Sequence, residues 1–256
     1  MVPPHLIARL RHEENLRRQF NQWLASGQAA RMEAWHRPVT EKLLDRMDIG
    51  PEDRTLEIGC GEGWATRLIA ERSPDGAVVG IDLADDLIAS ARSKSIDCQN
   101  ILFAPGSAEE IPWAEDYFTH VVGIETAYYW HSPEQAIREM FRVTAWGGRV
   151  FLLLSFYAEN PHSLHWKQHA PGEIHLRSTG EWKELFSLLG FVDVEHDRIP
   201  DDTPIPPDFE PDVHWRSRDE KEAFNREGAL LITARKPPIP EPEPLASEPN
   251  PLRILN

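Results

Sequence analysis

Three glycines in five residues, Gly59, Gly61 and Gly63, follow the apolar run Thr55 to Ile58 and precede an amphipathic segment, Trp64 to Glu71. A strand, a tight glycine turn and a helix N-terminus make a pocket of nucleotide size. Glycine lets the backbone approach a ligand closely, and the first helical turn presents free N–H groups to it. The pattern departs from the dinucleotide fingerprint G-x-G-x-x-G. Its third position is Trp64, and Gly63 makes the spacing G-x-G-x-G instead. Glu57, two residues before Gly59, repels a diphosphate and attracts a ligand carrying an ammonium and a sulfonium. Asp82 ends a second apolar run, 23 residues after Gly59. An acid at the end of such a strand can accept both hydroxyls of a ribose.

The sequence Leu56-Glu-Ile-Gly-Cys-Gly-Glu-Gly63 closely resembles motif I of the class I S-adenosylmethionine-dependent methyltransferases. Among these it is similar to the small-molecule, methyltransferase type 11 group that includes quinone-biosynthesis enzymes. The resemblance covers about residues 50 to 235. It implies S-adenosyl-L-methionine as cofactor, held by Glu57, Gly59, Cys60, Gly61 and Gly63, with Asp82 on the ribose and Leu83 beside the adenine. Gly106-Ser-Ala-Glu-Glu-Ile-Pro-Trp113 looks like the family's G-D-A-x-x-L-P-F loop, whose acid bonds the adenine amino group. Here Ser107 replaces that acid, so the resemblance leaves Ser107, the Ala108 N–H and Glu109 to share the contact. Glu125 and Thr126 are expected near the methionine portion. Tyr128, Tyr129 and Trp130 either wall the sulfonium with electron-rich rings or pack the core.

A general base is required only by some acceptors; the candidates are His131, Tyr128 and His165. Substrate contacts are expected from Trp35, His36 and Arg37 and from the group His162, His165, Trp166, His169 and His175. His162-x-x-His165-x-x-x-His169 has a spacing that metal ligands on a helix use. No cysteine or dense acid set completes a site, so no metal is expected and the group reads as a polar, aromatic lid.

The elements that must position these residues alternate. Strands are expected at Thr55–Ile58, Ala77–Ile81, Asn100–Ala104, Phe118–Ile124 and Arg149–Phe156, with helices between them. This is the signature of a doubly wound, mostly parallel, Rossmann-like α/β sheet. Ser132-Pro-Glu-Gln135 and Ser178-Thr-Gly-Glu181 are capping boxes that start two helices. Phe191–Glu195 and Ala229–Ala234 are the last two strands. No convincing crossover helix lies between them, so an antiparallel ending to a seven-stranded sheet is expected. Ahead of the sheet, helices are expected at residues 5–25 and at Pro38–Met47, with Pro38 in the first turn. The expected organisation is an N-terminal helical cap over 1–50, a methyltransferase domain over 51–235 and a proline-rich tail over 236–256.

The formal charge is −15, with 42 acidic against 27 basic residues. That opposes nucleic acid as the main partner, because backbone phosphates need a basic face, and it opposes docking on an anionic membrane. Two cysteines make no disulfide framework and suit a reducing cytoplasm. The N-terminus lacks the apolar region of a signal peptide, and no apolar run is long enough to insert in a membrane. The reading is cytoplasmic methyl transfer to a small molecule; nothing in the sequence sets the acceptor atom or the oligomeric state. Two alternatives share parts of the pattern. An NAD-dependent oxidoreductase would use the ribose acid but conflicts with Glu57 and Trp64. A non-catalytic binding protein of the same fold would account for Ser107.

Overall fold

The computed structural model describes residues 3–170 and 172–239. Two helices, α1 (Pro4–Ala25) and α2 (Gln28–Arg46), precede the sheet. Then come β1 (Arg54–Ile58), α3 (Trp64–Arg72), β2 (Ala77–Asp82), α4 (Asp85–Lys94), β3 (Ile101–Pro105) and β4 (Phe118–Ile124). The chain continues through α5 (Pro133–Val143), β5 (Thr144–Leu154), α6 (Thr179–Leu188), β6 (Val192–Ile199), α7 (Arg218–Glu227) and β7 (Ala229–Arg235).

The strands form one seven-stranded sheet in the order β3-β2-β1-β4-β5-β7-β6. The first five strands pair in parallel, and β7 runs antiparallel between β5 and β6. The expected doubly wound sheet with an antiparallel ending is therefore present. Its strand order reverses between β1 and β4, which opens a crevice at their carboxyl ends. Alternate residues of β5 face opposite layers. Val150, Leu152 and Leu154 pack with Met140 of α5 and Phe186 of α6. Phe151 and Leu153 pack with Leu43 of α2 and Ile69 of α3. Burial on both faces explains why this strand reads as an almost unbroken apolar run.

Both serines cap their helices, but only one of the two expected capping boxes is complete. Ser132 Oγ accepts the Gln135 N–H, and Ser178 with Glu181 makes a reciprocal capping box. Three further expectations are corrected. Helix α2 begins at Gln28, so Pro38 sits inside it and not in its first turn. The strong helix formers before Pro38 carry the helix through one lost backbone bond. A helix, α7, does lie between β6 and β7, capped by Ser217 Oγ accepting the Glu220 N–H. It follows a long proline-rich segment that obscures it in the sequence. Strand β5 begins at Thr144, and the Trp146-Gly-Gly turn is a bulge within it, where its register on β4 shifts between Phe118 and His120.

The expected tail also starts too early. Lys236 is buried, with Nζ donating to the Phe141 and Thr144 carbonyls and to Asp116. Residues 240–256 of that tail lie outside the described residues. Among the described residues, no helix is long and apolar enough to cross a membrane.

Candidate functional site

Every loop at the carboxyl edge of β1, β2, β3 and β4 opens into the crevice. Gly59, Gly61 and Gly63 all adopt positive φ, between +53° and +75°. A Cβ on Gly59 would stand 2.5 Å from Thr126 Oγ1, and one on Gly63 would overlap the Phe103 ring. A Cβ on Gly61 meets nothing within 4 Å, so the loop presents bare backbone to open space there. Asp82 closes the loop from the β2 side. Its Oδ2 accepts the Gly61 N–H at 2.9 Å and its Oδ1 the Ala84 N–H at 2.8 Å. Burial raises its pKa, and these backbone bonds oppose the shift.

Glu57 is buried on β1 and accepts a short hydrogen bond from the Thr66 hydroxyl of α3. Desolvation pushes its pKa up to about 8. A buried carboxyl at that position is held ready for a cation, which would restore its charge. Cys60 lies beside it with a thiol that burial pushes up, which makes it a packing residue and not a nucleophile.

Three cavities adjoin here. The first, about 150 Å³, is bounded by Glu57, Gly61, Asp82, Glu125, Tyr128 and His36. The second, about 290 Å³, is an aromatic chamber formed by Trp35, Phe156, Trp166, Tyr128, His169 and His214. The two share a wall of Trp23, Met32, His36, Glu125, Tyr128 and Tyr129. The third is a slot of about 50 Å³ between α1 and the loops after β2, β3 and β4, lined by Glu13, Leu83, Ser107, Ala108, Glu109 and His131 among others.

Glu125 stands at the junction of the first two. It is a non-glycine residue held at φ +55°. Such a backbone persists only where surrounding contacts enforce it, and it marks functional sites. Its Oε1 accepts the Ser155 N–H at 2.7 Å, and its Oε2 accepts the Tyr128 hydroxyl at 3.2 Å. His36 of α2 places Nδ1 3.8 Å from Glu125 Oε1, the separation of an ion pair.

The sequence candidates for a base are scattered by the fold. Tyr128 lines both large cavities, but burial raises its hydroxyl well above the ordinary tyrosine range and it donates to Glu125. His131 lines the slot, 5.4 Å from the His12 ring and away from Glu125's cavity wall. His165 sits in the aromatic cluster, with Nε2 3.1 Å from the His214 carbonyl, and is not among the residues of either large cavity. His165 lies within a 3-10 turn, Leu164–Gln168, that His162 and His169 flank, and the three do not share an α-helix. No group of three or more potential metal ligands forms among the described residues.

Helix α1 is the component whose place sequence reasoning missed. It reads in the sequence only as a charged helix, yet it lies over the slot. Arg17 Nε donates to the Leu83 carbonyl at 2.9 Å, His12 Nε2 lies 2.7 Å from the Tyr129 carbonyl, and Ser107 Oγ donates to Glu13 Oε1 at 2.7 Å. The signal was present. Glu13 interrupts the apolar stripe Leu6, Leu16, Phe20, and an acid at such a position is placed for an inward partner.

This sheet order, with a glycine turn after β1 and a buried acid ending β2, defines the class I methyltransferase architecture. Residues 56–152 match a family model described as a methyltransferase domain. Over that stretch the chain is similar to class I S-adenosylmethionine-dependent methyltransferases, among them quinone-biosynthesis enzymes. It is 27% identical to the chloroplastic 2-methyl-6-phytyl-1,4-hydroquinone methyltransferase of Arabidopsis thaliana over 64% of this chain and 48% of that one. It is 30% identical to the demethylmenaquinone methyltransferase of Halalkalibacterium halodurans over 46% of this chain and 49% of that one. The chain thus spans about half the length of these relatives. Among solved structures, one chain of the complex between the Haloferax volcanii Trm112 methyltransferase activator and a methyltransferase superposes with a TM-score of 0.79. That match is 29% identical and covers 85% of this chain and 97% of the other.

Proposed function

We propose that the protein transfers a methyl group from S-adenosyl-L-methionine to a small acceptor that is aromatic and carries a hydroxyl, and that it works in the cytoplasm. One observation carries this reading. The cavity beside the glycine turn adjoins an aromatic chamber, and His36 and Glu125 stand in the shared wall.

The residues suit the cofactor. Gly61 leaves room for a ligand against bare backbone. Asp82 has carboxylate oxygens beside that turn to receive ribose hydroxyls, and Glu57 gives the amino acid end a counter-charge. When bound, the cofactor supplies an electrophilic methyl on a sulfonium. A diphosphate in the same place would meet Glu57, which opposes the oxidoreductase alternative.

On the acceptor side the chain's residues orient and deprotonate. Trp35, Phe156 and Trp166 grip a flat ring and exclude water. His36 Nε2, on the imidazole edge away from Glu125, takes the hydroxyl proton. The Glu125 carboxylate, 3.8 Å from Nδ1, stabilises the imidazolium. The resulting oxyanion directs methylation to itself or to an adjacent ring carbon. A further chamber of about 230 Å³, which shares Trp35, His36 and Trp166, gives an apolar substituent somewhere to run. The hydroquinone and menaquinone relatives support that choice of acceptor class.

Titration calorimetry with S-adenosylmethionine and S-adenosylhomocysteine tests the donor half, and binding of neither would refute it. Incubating the protein with radiolabelled donor and a cell extract, then identifying the labelled product, tests the acceptor half. A labelled protein or nucleic acid in place of a hydroxylated aromatic would overturn it.

A further inference from the structure

Helix α1 packs on α2 and α4 and also ties three loops at the rim of the cofactor site. Arg17 holds the loop after β2 through the Leu83 carbonyl, Glu13 holds the loop after β3 through Ser107, and His12 and Phe20 hold the turn after β4 through Tyr129. The slot beneath, at about 50 Å³, has room for only a few water molecules. A planar base entering it must push α1 outward and be covered again by it. Helix α1 is thus a lid on the end of the site that lies beyond Asp82.

The slot has walls of Ile58, Leu83, Ala108 and Trp130 and is lined as well by three carboxylates, those of Glu13, Asp82 and Glu109. Glu13 is only 8% exposed, unusual for an acid on a helix that is otherwise largely solvated. Its Oε1 is taken by the Ser107 hydroxyl, with Arg9 Nε 3.6 Å away. Its Oε2 accepts no hydrogen bond from any described residue. Asp82 is held at both oxygens by the Gly61 and Ala84 N–H groups, and Glu109 has one oxygen, Oε1, taken by the Ser132 N–H at 2.9 Å. The Trp130 indole N–H, also at the slot, is buried with no partner among the described residues. The slot therefore offers an apolar-walled space with an unpaired oxygen of Glu13, which α1 brings to Ser107, and an unpartnered indole donor. That pattern complements a purine edge carrying an amino group beside a ring nitrogen.

We propose that Glu13 reads the exocyclic amine of the cofactor's purine, so that the lid itself supplies the specificity that the β3 loop, with serine at position 107, does not. The inference rests on the cofactor assignment above and adds to it a residue outside the sheet. It makes base selection a property of lid closure: an adenine amine draws Glu13 inward, and a base with a carbonyl at that position repels it.

The test compares two probes by calorimetry, S-adenosylhomocysteine and S-inosylhomocysteine, which differ by an amino group and a carbonyl oxygen. A hydrogen bond to a charged group changes binding by about tenfold or more, so the wild-type protein should prefer the adenosine compound by about that ratio. Glu13→Gln keeps the size and the bond to Ser107 and adds an amide donor. It should bring the ratio below about threefold or reverse it. Glu13→Asp, which keeps the charge and shortens the reach, stands in should the glutamine variant fail to fold; its ratio should also fall. Binding of neither compound to wild type would overturn the cofactor assignment. Equal binding of both by wild type, or an unchanged preference in a folded Glu13 variant, would overturn the role of Glu13 alone.

Discussion

His36 Nδ1 and Glu125 Oε1 lie 3.8 Å apart across the wall between the glycine-turn cavity and the aromatic chamber. One comes from α2, ahead of the sheet, and the other from the end of β4. The pair exists only because α2 packs against the sheet face that carries Ile124. Glutamine at position 36 keeps the volume and removes the base. His36→Gln should lower methyl transfer to hydroxylated aromatics by about 10² to 10⁴ and leave S-adenosylhomocysteine affinity within about twofold. Rate loss matched by loss of nucleoside affinity would show that His36 is a cofactor residue instead.

Glu57 makes cofactor binding depend on pH. Its folded pKa of about 8 lies above the ordinary carboxyl value of 4.5. Between these values the unfolded chain has released a proton that the folded chain retains. The stability contributed by neutral Glu57 is therefore complete below the unfolded pKa and is lost as pH rises through the folded one. Without cofactor, Glu57→Gln should melt above wild type at pH 9 and close to it at pH 4. A cationic cofactor favours the carboxylate, so binding at pH 7 should release protons. Calorimetry in two buffers of different ionisation enthalpy measures this, and zero release would mean that Glu57 does not face the positive charge.

The three loop glycines should separate folding from binding. Gly59→Ala and Gly63→Ala set a Cβ against Thr126 and Phe103 at positive φ, and each should destabilise the fold by about 2 kcal/mol or more. Gly61→Ala meets open space, so its cost should be limited to backbone strain, about 1 kcal/mol. Its methyl nevertheless enters the cavity and should abolish cofactor binding. Thermal melts alongside calorimetry give both numbers. A Gly61→Ala variant that binds normally would move the ligand off this turn.

Lys236 closes the sheet from below. Its Nζ satisfies the Phe141 and Thr144 carbonyls and pairs with Asp116. Lys236→Met keeps the stem and removes three charge-assisted bonds. It should cost about 1.5–3 kcal/mol in denaturant unfolding, with cofactor affinity unchanged. A neutral result would place the lysine among ordinary surface residues.

Much of the sheet was legible because its signals are local. Alternating apolar runs, the serine caps and the glycine turn act within a few residues of each other. The glycine loop and Asp82 were readable for the same reason, since β1 and β2 are consecutive and parallel. The acceptor side was not. His36, Glu125 and Trp166 come from three distant parts of the chain, and no spacing rule joins them. Pro38 marked the wrong helix boundary because a proline in a first turn and one inside a helix leave the same trace in sequence. Helix α7 was hidden by its brevity and by the prolines before it. Glu13 was passed over as one more charge on a charged helix, and only the docked α1 gives it a partner.

The contacts of α1 also bear on how the chain reaches its final form. Its bonds to Leu83, Ser107 and Tyr129 span 66, 94 and 117 positions. Contacts of such range are late to form, because long loops must close before they gain anything. During synthesis this helix emerges well ahead of every loop it covers, and its inward stripe must wait until β4 and the turn after it have been made. The part of the protein that shuts the nucleoside pocket is therefore made early and docked late, and it should be the first to come away when the native state opens locally.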